Sequence, residues 1–270
     1  MKELYLKMKD SVQCYLELLG MNLKSSLAFV ADVWIDIILF AVHQVAGLIF
    51  IWVIFTRTKT IGGWSLYEMV FLIGIQTLST AFYRTLFSGL GETGMLVIKG
   101  EMDQLLTKPR HPLLIMSTRK TNINGLGSLI MGAALILISA EKLELKWTLL
   151  LFSKMIILVL CSNIIMISLF LAQGVFSFWF VRFSFFMDSI HKVIEYSKYP
   201  LKIFNPAIRS IFYAAIPIAF SVYVPASVLL GKDGFSSVWF YLPILVCAGV
   251  MIFSVIFFNY GMKHYNGAGS

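Results

Sequence analysis

The chain of 270 residues is 59% hydrophobic and only 13% charged, with a formal net charge of +8 and a mean hydropathy of +0.83. A soluble domain carries about 25% charged residues, so this composition excludes a soluble fold and indicates an integral membrane protein. The apolar runs reach the roughly 20 residues that a helical span needs, and they lack the alternation of an outer-membrane barrel.

The basic excess fits the cytosolic loops of a membrane protein better than nucleic-acid binding, and no nucleic-acid partner is expected. Cys14, Cys161 and Cys247 stand far apart, which argues against a disulfide framework or a zinc site. No cleavable signal peptide is expected, because the charged start is not followed by a short apolar core and a small-residue cleavage site.

In chain order, residues 1–25 read as an interfacial amphipathic helix. Leu4, Met8, Val12, Tyr15, Leu16, Leu19 and Leu23 line one face, with Lys2, Lys7 and Lys9 elsewhere; packing on a soluble partner is the alternative. The first span runs over about 27–55 and contains Asp32, Asp36 and His43. These fall within about 40° of one another on a helix, and a stripe of that kind faces protein or water rather than lipid. It is either the lining of a pathway or subunit interface, or a hydrated helix end. The second span, about 66–90, carries Gln76 and Arg84; the arginine either snorkels or pairs with an acid of the first span.

Residues 98–112 form the longest strongly polar interval between two apolar regions, with Lys99, Glu101, Asp103, Lys108, Arg110 and His111. Met102, Leu105 and Leu106 recur at i, i+3, i+4, Gly100 precedes them and Pro109 stops the helix, which predicts a short amphipathic helix at the membrane surface. A solvated loop is the alternative. The third span, about 122–140, is rich in small residues, among them Gly125, Gly127, Ser128 and Gly132, which let helices approach closely.

The apolar run from Trp147 to Val181 is too long for one crossing. Gln173-Gly174 is the expected turn, ending a fourth span at about 172 and opening a fifth at about 175–197, with Asp188, His191 and Glu195 on one face. Residues 198–231 hold Pro200, Pro206, Pro217 and Pro225 and read as a re-entrant segment; the last span covers about 239–258. The arrangement is thus all-α, with six spans and both termini in the cytosol. Lys2, Lys7, Lys9, Lys24, Lys99, Lys108, Arg110, Arg119, Lys120 and Lys263 obey the positive-inside bias, whereas Lys198, Lys202, Arg209 and Lys232 violate it. A rival topology makes 147–181 one long tilted span and puts the fifth span at about 211–230.

Four pieces in order resemble one family: Gly63-Trp64-Ser65; the run from Lys99 to Pro109, similar to a Gly-Glu-x-Asp-x-x-Leu-x-x-Pro pattern; Tyr199-Pro200 with Ile216-Pro217 and Val224-Pro225-Ala226; and the terminal Tyr265-Asn266-Gly267-Ala268-Gly269. They resemble the ABC-2 type permeases, in the subgroup of small six-span bacterial permeases, and the resemblance covers nearly the whole chain. It implies a plasma-membrane domain over 26–270 that pairs with a second permease, identical or paralogous, and with two separate ATPase subunits. It implies further that Gly100, Glu101, Met102, Asp103, Leu105, Leu106, Lys108 and Pro109 belong to a cytosolic coupling helix (98–110) that docks on the ATPase. The re-entrant segment then closes the outer side, with Pro217 and Pro225 at the gate.

The chain carries no phosphate-binding loop: Gly231-Lys232 is followed by Asp233, and Ala226 stands where the earlier glycine belongs. No cofactor is therefore expected in this chain, ATP and magnesium being held by the partner ATPase. An export permease for a lipophilic or amphipathic cargo is the reading adopted, with Asp32, Asp36, His43, Gln76 and Arg84 as pathway candidates. The alternatives are an ion-coupled secondary transporter and an intramembrane enzyme using Asp32, Asp36 and His43. No internal repeat supports the first, and no third metal ligand beside His191 and Glu195 supports the second.

Overall fold

Inside a bilayer the backbone must satisfy its own donors and acceptors, and long non-alternating runs of Leu, Ile and Phe leave the helix as the solution. The computed structural model is helical accordingly. It describes residues 13–22, 24–25, 28, 30–120, 122, 124–180, 191–232, 234–235 and 237–265. Its main helices are α1 (Val30–Phe55), α2 (Leu66–Leu86), the short α3 (Thr93–Ile98), α4 (Glu101–Leu106) and α5 (Pro112–Arg119), α6 (Asn124–Lys142), α7 (Leu149–Phe176), the short α8 (Pro206–Ser210) and α9 (Tyr223–Leu230), and α10 (Tyr241–Lys263). Among the described residues there is no strand, only the isolated bridge between Ile61 and Trp64.

Five helices, α1, α2, α6, α7 and α10, are long and apolar enough to cross a membrane. A sixth crossing exists only if the pair 206–215 and 218–230 counts as one, and those arms meet at 77°. Pro217 causes the bend, since it supplies no N–H and disfavours helix at Ile216 before it. Residues 13–22 are helical, and the Tyr15 hydroxyl donates to the Leu86 carbonyl across the end of α2. Most of the amphipathic face expected over 1–25, and the terminal motif after Tyr265, lie outside the described residues.

α2 and α6 pack as an antiparallel pair with backbones almost touching. A Cβ added to Gly74 would stand 2.7 Å from Ile136 Cγ1, and one added to Gly132 would stand 2.9 Å from Leu78 Cγ. The expected small-residue contact is thus present for Gly125 and Gly132, whereas Gly127 only faces Ile37 of α1 at ordinary distance. α7 and α10 make a second pair, this one parallel, with Cys161 beside Cys247, Ser168 beside Ser254 and Val175 beside Gly261, and α7 also leans on α2. α1 stays outside: Ile51 is its one buried residue, and Trp34, Ile38, Val42 and Ile49 are exposed.

The turn expected at Gln173-Gly174 is corrected. α7 runs unbroken to Phe176, and Gly174 sits inside it because α3 lies against that point, where a Cβ would fall 2.6 Å from Thr93 Cβ. The glycine there makes room for a neighbour and does not break the helix. Val175 belongs to α7, and residues 181–190 of the expected fifth span, including Asp188, lie outside the described residues; helix is present again at 191–196. On this point the long fourth helix of the rival topology is the one observed, while its fifth span at 211–230 is bent at Pro217. Both flanks of the bent pair touch the turn before α2. Ile203 lies against Gly62, and Lys232 donates to the Gly63 carbonyl at 2.5 Å and pairs with Glu68.

Overpacking of a tight core costs about 1–3 kcal/mol. Gly132→Ala is therefore expected to lower the thermal midpoint of the purified permease measurably, while Gly127→Ala leaves it unchanged. Size-exclusion detection of the heated protein measures both, and equal midpoints would mean that the α2–α6 contact tolerates a methyl group.

Candidate functional site

A polar groove lies between α1, α2 and the segment 191–198. Its upper part is lined by His43, Gln44, Gln76, Thr77, Arg84 and Glu195. A lower part of about 420 Å³ shares Gln76, Thr80, Arg84 and Glu195 and continues past His191 to Glu92, Lys120 and Asn122. On α2 the residues come from one stripe, Gln76, Thr80 and Arg84 at i, i+4, i+8, which a helix sets on a single face.

Several side chains in this groove are already anchored. Gln44 donates to the Thr77 hydroxyl at 2.9 Å, which ties α1 to α2, and Thr77 and Thr80 donate to carbonyls one turn back. Such back-bonding hides the hydroxyl donor from a low-dielectric surrounding. The Arg84 guanidinium lies 5.6 Å over the Phe40 ring, with Glu195 as the acid that acts on it. Tyr83 stacks on Phe170 at 3.9 Å, and Phe170 meets His191 at 4.9 Å, so an aromatic wall faces the polar one.

Of the pathway candidates, the fold brings His43, Gln76 and Arg84 together and leaves Asp32 and Asp36 out. The acids are exposed on α1, closer to its start, and line neither part of the groove. The α1 stripe is genuine as a face, but α1 lines the groove with α2 and the segment 191–198 only from Phe40 onward. Gln44, Thr80 and Glu195 were not singled out as pathway residues from sequence; the i, i+4, i+8 spacing on α2 is the signal that finds Thr80. Among the described residues no group of three or more His, Cys, Asp or Glu is placed to hold a metal.

The polar interval 98–112 holds one short helix, α4, as expected, with α3 ending at its start and α5 beginning at its end. Gly100 at φ 69° reverses the chain between α3 and α4, a conformation that glycine adopts without a Cβ clash. Glu101 and Asp103 occupy the first turn of α4, where acids suit the unpaired N–H groups. Glu101 pairs with Arg119 of α5, and Glu92 pairs with Lys120 at 2.5 Å. These two bridges tie the start and end of the connection together on the exposed side.

Of the apolar residues in the expected coupling helix, Met102 and Leu105 face inward. They are buried with Leu96, Met116, Val175, Phe178 and Phe258, in a second core formed at the ends of α7 and α10. Only Leu106 of the trio is exposed, beside Gln104, Lys108, Pro109, Arg110 and His111. Pro109 leads into a bend and then α5, and so does not open the third span directly. Pro217 stands at the 77° bend, while Pro225 is buried in the first turn of α9, where a missing N–H costs no helical bond.

No sequence among curated proteins matches the chain. A family model described as ABC-2 family transporter protein matches residues 41–269, from the middle of α1 to the end of the described chain and beyond. That span contains the groove, the α3–α4 connection and the bent pair together. With a match of that extent, the chain belongs to the ABC-2 family of transporter proteins, as the membrane permease component that associates with an ABC ATPase.

Proposed function

We propose that this chain is the permease subunit of an ATP-driven exporter of the bacterial plasma membrane, moving a lipophilic or amphipathic cargo along the groove between α1, α2 and the segment 191–198. The observation that carries the reading is the groove itself. Arginine, histidine and amide groups inside membrane-spanning helices are costly unless they face water or cargo, and here His43, Gln76 and Arg84 share one elongated space with Glu195, bordered by aromatic rings. A surface with polar groups on one side and rings on the other suits a molecule that has both characters.

The remaining parts of the exporter follow from what is exposed and what is tied down. A second permease, identical or paralogous, covers α1, whose exposed side between Trp34 and Val53 is apolar apart from Asp36 and His43. The α3–α4 connection docks on the ATPase through Leu106, Lys108 and Arg110, while Met102 and Leu105 transmit the contact into the inner core. A push on α4 therefore reaches the ends of α7 and α10 directly. The bent pair closes the outer side as a re-entrant hairpin; that both its flanks touch the turn at Gly62-Gly63 supports this reading. The helix at 13–22 lies along the inner membrane surface, and both termini are cytosolic.

Removing one charge-assisted contact to cargo costs about 1.5–3 kcal/mol, or about tenfold or more in rate. In proteoliposomes with the ATPase subunit, Arg84→Gln is expected to cut cargo-stimulated ATP turnover by that factor while the amount of assembled complex stays constant. A wild-type rate would remove the groove from the pathway. Asp32→Asn and Asp36→Asn, outside the groove, are expected to transport normally.

The α4 contact is tested separately. Leu106→Asp is expected to leave a folded permease that retains about tenfold less ATPase in a pull-down, since an unpaired charge would be buried on docking. Leu105→Asp is expected to lose the folded permease itself, because that charge would enter the chain's own core. The reverse pattern would mean that α4 presents its other face to the ATPase.

A further inference from the structure

A second cavity, of about 580 Å³, lies between α7, α10 and the bend at Ile216-Pro217, and shares no lining residue with the groove. Its walls are apolar except at Gln173 and Ser254. The serine is satisfied, donating to the Ser168 carbonyl at 2.8 Å. Gln173 is not: its side chain is 5% exposed, and both Nε2 and Oε1 lack a hydrogen-bond partner among the described residues. A buried amide with neither its donor nor its acceptor used is rare in folded proteins and destabilising. Its presence beside an open apolar space says that something with a polar group and an apolar body completes the site.

Depth and access identify the occupant. Gln173 is one turn from the end of α7 that packs against α3 and α4. α7 spans about 42 Å at 1.5 Å per residue, more than the hydrocarbon layer of about 30 Å, so the amide sits near the boundary where the ester groups of one leaflet lie. Phe176 and Phe253 at the cavity edge are 42% and 60% exposed, so the opening is toward the lipid and not toward the bundle. Water is a poor filling, because it needs two to four polar partners and finds one amide.

We propose that the cavity is a lipid site, in which one acyl chain of a diacyl phospholipid enters between α7 and α10 and fills the space beneath Pro217, while Gln173 Nε2 donates to its ester carbonyl. The bound chain props the bend of the 206–230 segment against α7 and α10. The site depends on the chain spanning a bilayer, not on the exporter reading, and a cargo of any kind leaves it unchanged.

The test uses full-length permease in nanodiscs containing a phospholipid with a diazirine on one acyl chain, irradiated and mapped by peptide mass spectrometry. Adducts are expected on Phe176, Ile216 and Phe253. Gly249 lines the cavity with no atom near its missing Cβ, so Gly249→Leu fills space without a clash. That variant is expected to lose about tenfold in adduct yield at these residues, with labelling of exposed Ile38 on α1 unchanged. Gln173→Met keeps the volume and removes the amide. It is expected to lower adduct yield and to raise the thermal midpoint in an ester-free maltoside detergent, where the wild-type amide stays unpaired. Equal adducts in wild type and Gly249→Leu, or a lower midpoint for Gln173→Met in that detergent, overturns the site. So does a diazirine-bearing hydrocarbon without an ester that labels the cavity where the phospholipid does not.

Discussion

The close contact between α2 and α6 is the constraint on which the other placements rest. Gly74 and Gly132 let the two backbones meet with side chains of the opposite helix filling the missing Cβ positions. In hydrocarbon there is no hydrophobic driving force between helices, so close packing of this kind carries the association. With one flank of α2 committed to α6, its remaining flanks are free for α7 and for the stripe of Gln76, Thr80 and Arg84. The same helix begins at a fixed point: Trp64 is buried, Ser65 and Glu68 form a capping box, and Lys232 pairs with Glu68 and lies 5.2 Å over the Trp64 ring. The flank of the bent segment is thereby held to the start of the helix that carries the groove.

Much of this was legible in the chain. Apolar length alone locates the spanning helices, because the backbone has one way to satisfy itself in lipid. The small-residue run of α6 announces its packing, and the prolines between Pro200 and Pro225 announce a segment that does not cross straight through. The polar interval at 98–112 stands out by contrast with what surrounds it. Its periodicity correctly groups Met102 with Leu105, but periodicity says which residues share a face and never what the face meets. Here the ends of α7 and α10, far away in sequence, supply the apolar surface that claims them.

Other features were not legible for related reasons. Gly174 resembles a helix breaker, and only the presence of Thr93 shows that its role is clearance. The acids of α1 and His43 belong to one stripe, yet only the part of it that faces α2 and residues 191–198 joins the groove. Gln173 looks like a turn residue in sequence; that its amide is buried without a partner, beside a cavity it shares with Pro217, is visible only in the fold.

The helices are unequal in a way that bears on the membrane around them. α2 and α6 have 21 and 19 residues, whereas α7 and α10 have 28 and 23. At 1.5 Å per residue the first pair is about 28–32 Å long and the second about 35–42 Å. An upright first pair fits a bilayer core of ordinary thickness, while the second pair must tilt or draw the bilayer thicker around itself. The lipid annulus is thus uneven, thin beside α6 and strained beside α7 and α10. That inequality makes the tilt of the longer pair responsive to the thickness of the membrane that holds the protein.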